Sequence, residues 1–168
     1  GYHSILSLYD TQRAIALTKR IFEDTLCGAL HLRRVSAPLV LEAHTGLNDD
    51  LNGVERPVDF DIKATGTHAQ VVHSLAKWKR LALHRYGFPM GMGLVTDMNA
   101  IRRDEDLDNL HSIYVDQWDW EKIIAPEQRN NDYLMETVRE IVQAICSTEK
   151  TMRALFPTLD VLPKTDPD

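Results

Sequence analysis

The order of hydrophobic periods along the chain restricts its fold more than any single residue does. Apolar residues recur at helical spacing between Asp10 and Gly28, at Ala14, Leu17, Ile21, Phe22 and Leu26. They do so again at Leu134, Val138, Ile141, Ile145, Met152 and Leu155, stopping before Pro157. Between these two amphipathic helices lie runs that read as strands: Leu30 to Leu41, made irregular by Pro38; Val58 to Lys63; Ala69 to His73; Leu94 to Arg102; and His111 to Glu121. A further helix fits between Ser74 and Tyr86, with the stripe Leu75, Trp78, Leu81 and Ala82 and with Gly87 as its stop. Asp10 or Thr11 is expected to cap the first helix and Gly28 to end it. Val58, Phe60 and Ile62 alternate with Asp59, Asp61 and Lys63, which predicts a strand with one face on the core. The strands come in neighbouring runs without regular alternation with helices, so the expected class is α+β, a mainly antiparallel sheet flanked by helices.

At 168 residues the chain is about one domain long and can bury one sizeable core. Its 43% hydrophobic and 26% charged residues are ordinary for a globular protein and exclude a disordered or collagenous chain. The 19 basic against 25 acidic side chains give a net charge of −6, which argues against wholesale coating of nucleic acid. No apolar run approaches membrane-spanning length, and no signal peptide is recognisable. Cys27 and Cys146 are far apart in sequence, and neither sits in a C-x-x-C. They offer no disulfide framework, which fits a reducing, cytoplasmic compartment.

The strongest chemical signal is the strand His111-Ser112-Ile113-Tyr114-Val115-Asp116-Gln117-Trp118-Asp119-Trp120-Glu121. Strand side chains alternate faces, so Gln117, Asp119 and Glu121 share one, and Tyr114, Trp118 and Trp120 take the other. Same-face neighbours stand about 6.6 Å apart. Two bare carboxylates at that distance repel by about 2.5 kcal/mol at an effective dielectric near 20. A cation between them offsets this; an ammonium group, an Arg and Mg²⁺ are the candidates, against the alternative of a merely solvated face. Lys77, Lys79 and Arg80 open the second helix, where they form either an anion site or another solvated face. Arg102-Arg103 precedes the acidic turn Asp104-Glu105-Asp106, poised for a phosphate or for a surface ion pair. Asp49-Asp50 lies in a Gly-flanked loop and serves either an amine or the turn itself. There is no P-loop, no dinucleotide fingerprint and no H-E-x-x-H, and neither cysteine has a local partner that marks a nucleophile.

These segments together resemble a known family. Leu47-Asn48-Asp49-Asp50-Leu51-Asn52-Gly53, V-V-H-S-L-A-K-W-K-R ending at Arg80, Arg102-Arg103-Asp104-Glu105-Asp106 and H-S-I-Y-V-D-Q-W-D-W-E ending at Glu121 closely resemble the ammonia-dependent asparagine synthetases, or aspartate-ammonia ligases. The match runs from about residue 9 to about 163. The resemblance implies a class II aminoacyl-tRNA synthetase-like catalytic domain, similar to that of aspartyl-tRNA synthetase and working as a homodimer. The first helix and Val35 to Leu41, with Pro38, look like its dimer-forming motif. By the same resemblance Arg102, with Arg103 beside it, grips the α-phosphate of ATP, and Glu121 belongs to the ATP site. Gln117 and Asp119 read the amino group of L-aspartate. Lys79 faces the side-chain carboxylate of aspartate, Ser74 is a neighbouring contact, and Asp49 stands near the substrate or the incoming ammonia.

The implied reaction joins ATP, carried with Mg²⁺, to aspartate as β-aspartyl-adenylate, from which ammonia displaces AMP to give asparagine. Such chemistry asks for positive charge at phosphorus and for positioning, and needs no protein nucleophile. Chains of this family are about twice as long, so residues 1–168 are expected to match the N-terminal portion of one catalytic domain. The proline-bearing stretch 157–168 then reads as a linker toward the rest. A non-catalytic or regulatory module of the same fold, or an aspartyl-tRNA synthetase relative, is the alternative reading.

Overall fold

A computed structural model of the protein describes residues 3–49 and 51–165. The chain divides into two compact units, Gly1–Leu32 with Ile124–Asp168, and Arg33–Ile123.

The first unit is built on two long helices, α1 (Leu8–Leu30) and α3 (Asn131–Leu155), which pack on each other. α1 starts earlier than expected, because the cap is Ser7, three residues before Asp10: its Oγ accepts the Asp10 backbone N–H at 3.1 Å. It also runs straight through Gly28. The stop is His31, in the left-handed region at φ +57°, whose N–H closes onto the Cys27 carbonyl. α3 is capped by Asn130, which accepts the Tyr133 N–H at 2.9 Å. Ala14, Met152 and Phe156 make the buried core here, with Leu17, Ile21 and Leu159 against it. Leu134, Val138, Ile145 and Leu155, read from sequence as part of an apolar stripe, are exposed. After α3 a short 3₁₀ turn, Pro157–Val161, brings the chain back along the helix. Arg153 donates to the carbonyls of Leu159 and Pro163 at 2.8 and 2.6 Å, and Glu149 accepts the Thr165 N–H at 3.0 Å.

The second unit holds α2 (Ala76–Arg85) and most of the strands. Among the described residues the strands form two three-stranded sheets. The first has the order β1-β5-β6, from Leu32–Arg34, Gly93–Ile101 and Tyr114–Lys122; the second has the order β2-β4-β3, from Val40–Glu42, Thr67–Val71 and Asp59–Ile62. β5 with β6, β2 with β4 and β3 with β4 are antiparallel, as expected. The run read as one irregular strand over Leu30 to Leu41 is instead β1 and β2, in different sheets, divided by the segment that holds Pro38. Proline has no N–H to give a ladder, so the chain leaves one sheet there and enters the other. The alternation of Val58 to Lys63 does produce β3, but its inward face is missing: the strand is the outermost of its sheet and Phe60 is exposed. The core of this unit lies elsewhere, around Leu41, Val72, Leu75, Met98 and Ala100, with a second cluster at Ala82, Leu83 and Leu94.

Candidate functional site

α2 packs on β6, and this contact supplies the cation that the polar row of β6 requires. Of the basic residues on the helix, Arg80 is exposed and Lys77 half-exposed, whereas Lys79 turns inward and is only 5% exposed. Its Nζ donates to Asp119 Oδ1 and to the carbonyl of Trp120 at 2.9 Å, and lies 3.7 Å from Glu121 Oε2. Glu121 also faces Arg80, with Oε1 3.6 Å from Nε. An ammonium so deeply placed is tolerated only because its donors are engaged and its charge is met by two carboxylates. Gln117 continues the row but stays exposed, with its Nε2 3.9 Å from Met98 Sδ.

Asp49 sits apart from this cluster, its Oδ1 3.6 Å from Lys77 Nζ. Its neighbour Asn48 fixes the loop. Asn48 Nδ2 donates to the Val71 carbonyl at 3.2 Å and its Oδ1 accepts the His73 N–H at 2.8 Å, tying the loop to the end of β4. Asp50 lies outside the described residues. Ser74 accepts the Ala76 N–H at 3.2 Å and so serves the first turn of α2, although Leu75 holds the cap position.

Arg102 follows β5, with its N–H on the Ile113 carbonyl at 2.8 Å. It lines a cavity of about 610 Å³ with Asn52, Glu55, Asp104, Glu105 and His111. The acidic turn does not neutralise it: the recorded ion pair is the loose one to Glu105 at 4.0 Å, and its Nε is buried with no hydrogen-bond partner. Asp104 is taken by Arg56, which donates to it from the backbone N at 2.9 Å, from Nε at 3.0 Å and from a terminal nitrogen at 2.5 Å. These bonds hold the Asp104 carboxyl well below the usual carboxylate range. Arg103 beside it is exposed. The β5–β6 register sets the spacing of the two groups. Gln117 and Asp119 stand four and six residues along β6 from Ile113, or about 13 and 20 Å at the usual strand rise.

The candidate residues thus fall into three groups on one unit: Lys79 with Asp119 and Glu121, Asp49 with Lys77, and Arg102 at the cavity. Asn48, Arg56 and His73 escape sequence reasoning as individuals. Asn48 and His73 lie inside the quoted motifs, but their partners are backbone groups and loops that no spacing reveals. Among the described residues no group of three or more His, Cys, Asp or Glu side chains is placed to hold a metal ion. No helix among them is long and apolar enough to cross a membrane.

The architecture is that of a class II synthetase-like fold. The structure is similar to that of a pyrrolysyl tRNA synthetase, PylSc of Desulfitobacterium hafniense, with a TM-score of 0.51 over 74% of this chain and 44% of that one. At 14% identity this likeness concerns the fold alone. Residues 9–165 match the family described as aspartate-ammonia ligase, and the chain belongs to that family. An aspartate-ammonia ligase of Clostridium perfringens is 60% identical over 166 residues, which are 98% of this chain and 49% of that protein. One from Lactobacillus johnsonii is 60% identical over 157 residues, 93% of this chain and 47% of that protein. One from Bacillus cytotoxicus is 54% identical over 158 residues, 94% and 48% respectively. The chain therefore spans about half the length of the curated relatives it matches.

Proposed function

We propose that the protein carrying this chain makes asparagine, amidating L-aspartate with ammonia at the expense of ATP. Membership of the aspartate-ammonia ligase family supports the reaction class. The observation that carries the reading is the buried Lys79 between Asp119 and Glu121. Aspartate brings one ammonium and two carboxylates. In this reading its ammonium replaces that of Lys79 on Asp119, with Gln117 and Ser74 beside it, and the freed Lys79 takes the side-chain carboxylate. Each of these exchanges keeps Asp119 and Lys79 paired with an opposite charge, and the second carboxylate of aspartate is the one charge added to the row.

Arg102, with Arg103 next to it, holds the α-phosphate of ATP at the wall of the cavity; Glu121, given to the ATP site by the family resemblance, stands with Lys79 and Arg80 at the other end of β6. A β-carboxylate oxygen attacks the α-phosphorus and the bond to pyrophosphate breaks, giving β-aspartyl-adenylate. Ammonia then attacks the acyl carbon, and AMP leaves with the acyl C–O electron pair. Arg102 meets the charge that gathers on phosphorus; Lys79 and the Gln117–Asp119 row position the nucleophile. Asp49 is assigned to the ammonia side. Mg²⁺ belongs to this reading as the ion carried by ATP; no group of three or more His, Cys, Asp or Glu among the described residues is placed to hold it, and no step is assigned to it. The same reading makes the enzyme a cytoplasmic homodimer.

The test is aspartate-dependent exchange of pyrophosphate into ATP, on this chain and on the longest natural form of the protein, with AMP and asparagine followed as ammonia is added. Exchange together with ammonia-dependent asparagine is expected from the longest form. Absence of aspartate activation in both forms overturns the reading and leaves a non-catalytic module.

A further inference from the structure

The most conspicuous polar anomaly among the described residues is a buried ring and a buried guanidinium nitrogen with unmet hydrogen-bonding needs. His73 is 1% exposed, and neither Nδ1 nor Nε2 has a hydrogen-bond partner among the described residues. The Nε of Arg102 is in the same condition. Buried polar groups are paired as a rule, because a donor or acceptor withdrawn from water without a partner is costly. The two belong to one neighbourhood: Val72 and Leu75, on either side of His73, share a buried cluster with Met98 and Ala100, which lead into Arg102. The charged groups that act on the His73 ring are Arg102, Glu55 and Asp104, and all three line the 610 Å³ cavity. The His73 backbone is fixed by Asn48, whose Oδ1 accepts its N–H, so its place is set by the loop and not by the ring.

The chemistry of the pair is complementary in one direction only. A guanidinium has donors and no acceptor, and a neutral imidazole has one of each. Burial, and after it the positive charge of Arg102, push the His73 pKa below its ordinary value; Glu55, the Arg56 carbonyl and Asp104 oppose this with smaller effect. The ring is therefore uncharged at neutral pH and keeps a free acceptor. Arg102, loosely paired with Glu105 at 4.0 Å, keeps its remaining N–H groups for an incoming anion.

We infer that His73 is a positioning residue for Arg102: its acceptor nitrogen takes the Arg102 Nε–H when a nucleotide phosphate draws the other guanidinium N–H groups into the cavity. This rests on the reading of Arg102 as the phosphate-holding group. It fixes the plane of the guanidinium, which decides whether two N–H groups or one reach the phosphate.

The experiment titrates ATP calorimetrically into the longest natural form of the protein, as wild type, His73→Leu and His73→Gln, and again in an Arg102→Lys background. Lysine has no Nε–H in that place. Losing one hydrogen bond to a charged group is expected to weaken ATP about tenfold in His73→Leu, with a smaller loss in His73→Gln, whose amide oxygen still accepts. In the Arg102→Lys background His73→Leu is expected to change affinity by less than about twofold, a non-additivity that a purely structural histidine does not produce. If His73→Leu fails to fold, His73→Gln and His73→Met carry the same comparison. Equal ATP affinities in wild type and variants, or an equal loss in both backgrounds, overturn the assignment. Pyrophosphate exchange by the same wild-type protein tests the ligase reading separately. Exchange with no effect of His73 sinks only the positioning role, and a His73-dependent ATP affinity without aspartate-dependent exchange sinks only the ligase.

Discussion

Replacing Lys79 by Met keeps the length of the stem and removes the ammonium. The Asp119 and Glu121 side chains, 18% and 27% exposed, are then left without the cation between them, and the Trp120 carbonyl loses its 2.9 Å donor. Same-face carboxylates about 6.6 Å apart repel by about 2.5 kcal/mol at an effective dielectric near 20, and an abandoned hydrogen bond adds about 1 kcal/mol. Release from the cost of burying an ammonium offsets part of this. A net loss of about 3 kcal/mol is expected, at the lower end of the range for breaking a buried pair. For a chain of this size it corresponds to a fall in Tm of about 6 to 12 °C. The assay is urea unfolding at neutral pH of Lys79→Met and of Lys79→Met/Asp119→Asn. The second variant removes one of the repelling charges and is expected to recover about 2 kcal/mol. If Lys79→Met costs less than about 1 kcal/mol, or the double variant is no more stable than the single one, the row is not held together by this ammonium and the reasoning is refuted.

Asp119→Asn is expected to cost only about 1 kcal/mol of stability, since its amide oxygen still accepts from Lys79, yet to cripple aspartate-dependent pyrophosphate exchange; near wild-type exchange removes Asp119 from the aspartate site. Arg102→Ala is expected to raise the KM for ATP and to slow adenylation while sparing the KM for aspartate, and an unchanged ATP response moves the phosphate contact to Arg103 or elsewhere. Hydrogen bonds from Thr165, and then from Arg153, hold the Glu149 carboxyl down at about 2. Because this folded-state value is depressed, the contribution to docking of the 157–165 segment is complete above the ordinary carboxylate range near 4.3 and is lost as pH falls toward about 2. Exchange protection of the Thr165 amide should follow that course and be weak at every pH in Glu149→Gln; protection that is insensitive to both acid and substitution contradicts it.

Much of the architecture was legible because strand and helix periods are local properties. β5, β6, α2 and α3 fall close to where their patterns place them. The failures have a common cause. Phe60 alternates as an inward residue should, but alternation does not say whether a second layer covers the strand, and β3 stands at the edge. Gly28 is an ordinary helix stop by composition, yet the backbone turns left-handed three residues later at His31, where the Cys27 carbonyl is capped. In the site, the carboxylate row of β6 announced its need for a cation. The basic run of α2 held the answer, and only the packing of α2 on β6 joins the two. The Arg56–Asp104 clamp crosses 48 residues between two loops, and no local spacing encodes it.

Lys79 also decides what kind of molecule can enter the row. It is a counter-ion on a leash, held on Asp119 by the fold and not drawn from solution. A free ammonium, a potassium ion or a simple amine must displace a tethered group from Asp119 and leave it, still buried, with Glu121 at 3.7 Å as its remaining counter-ion. A ligand that carries a carboxylate as well as an ammonium avoids this, because it supplies the displaced lysine with a new partner in the same event. On the proposed reading the row would favour a molecule that carries both signs of charge over a simple cation, whose place Lys79 already occupies. Aspartate, with its ammonium and a carboxylate to spare, meets that requirement.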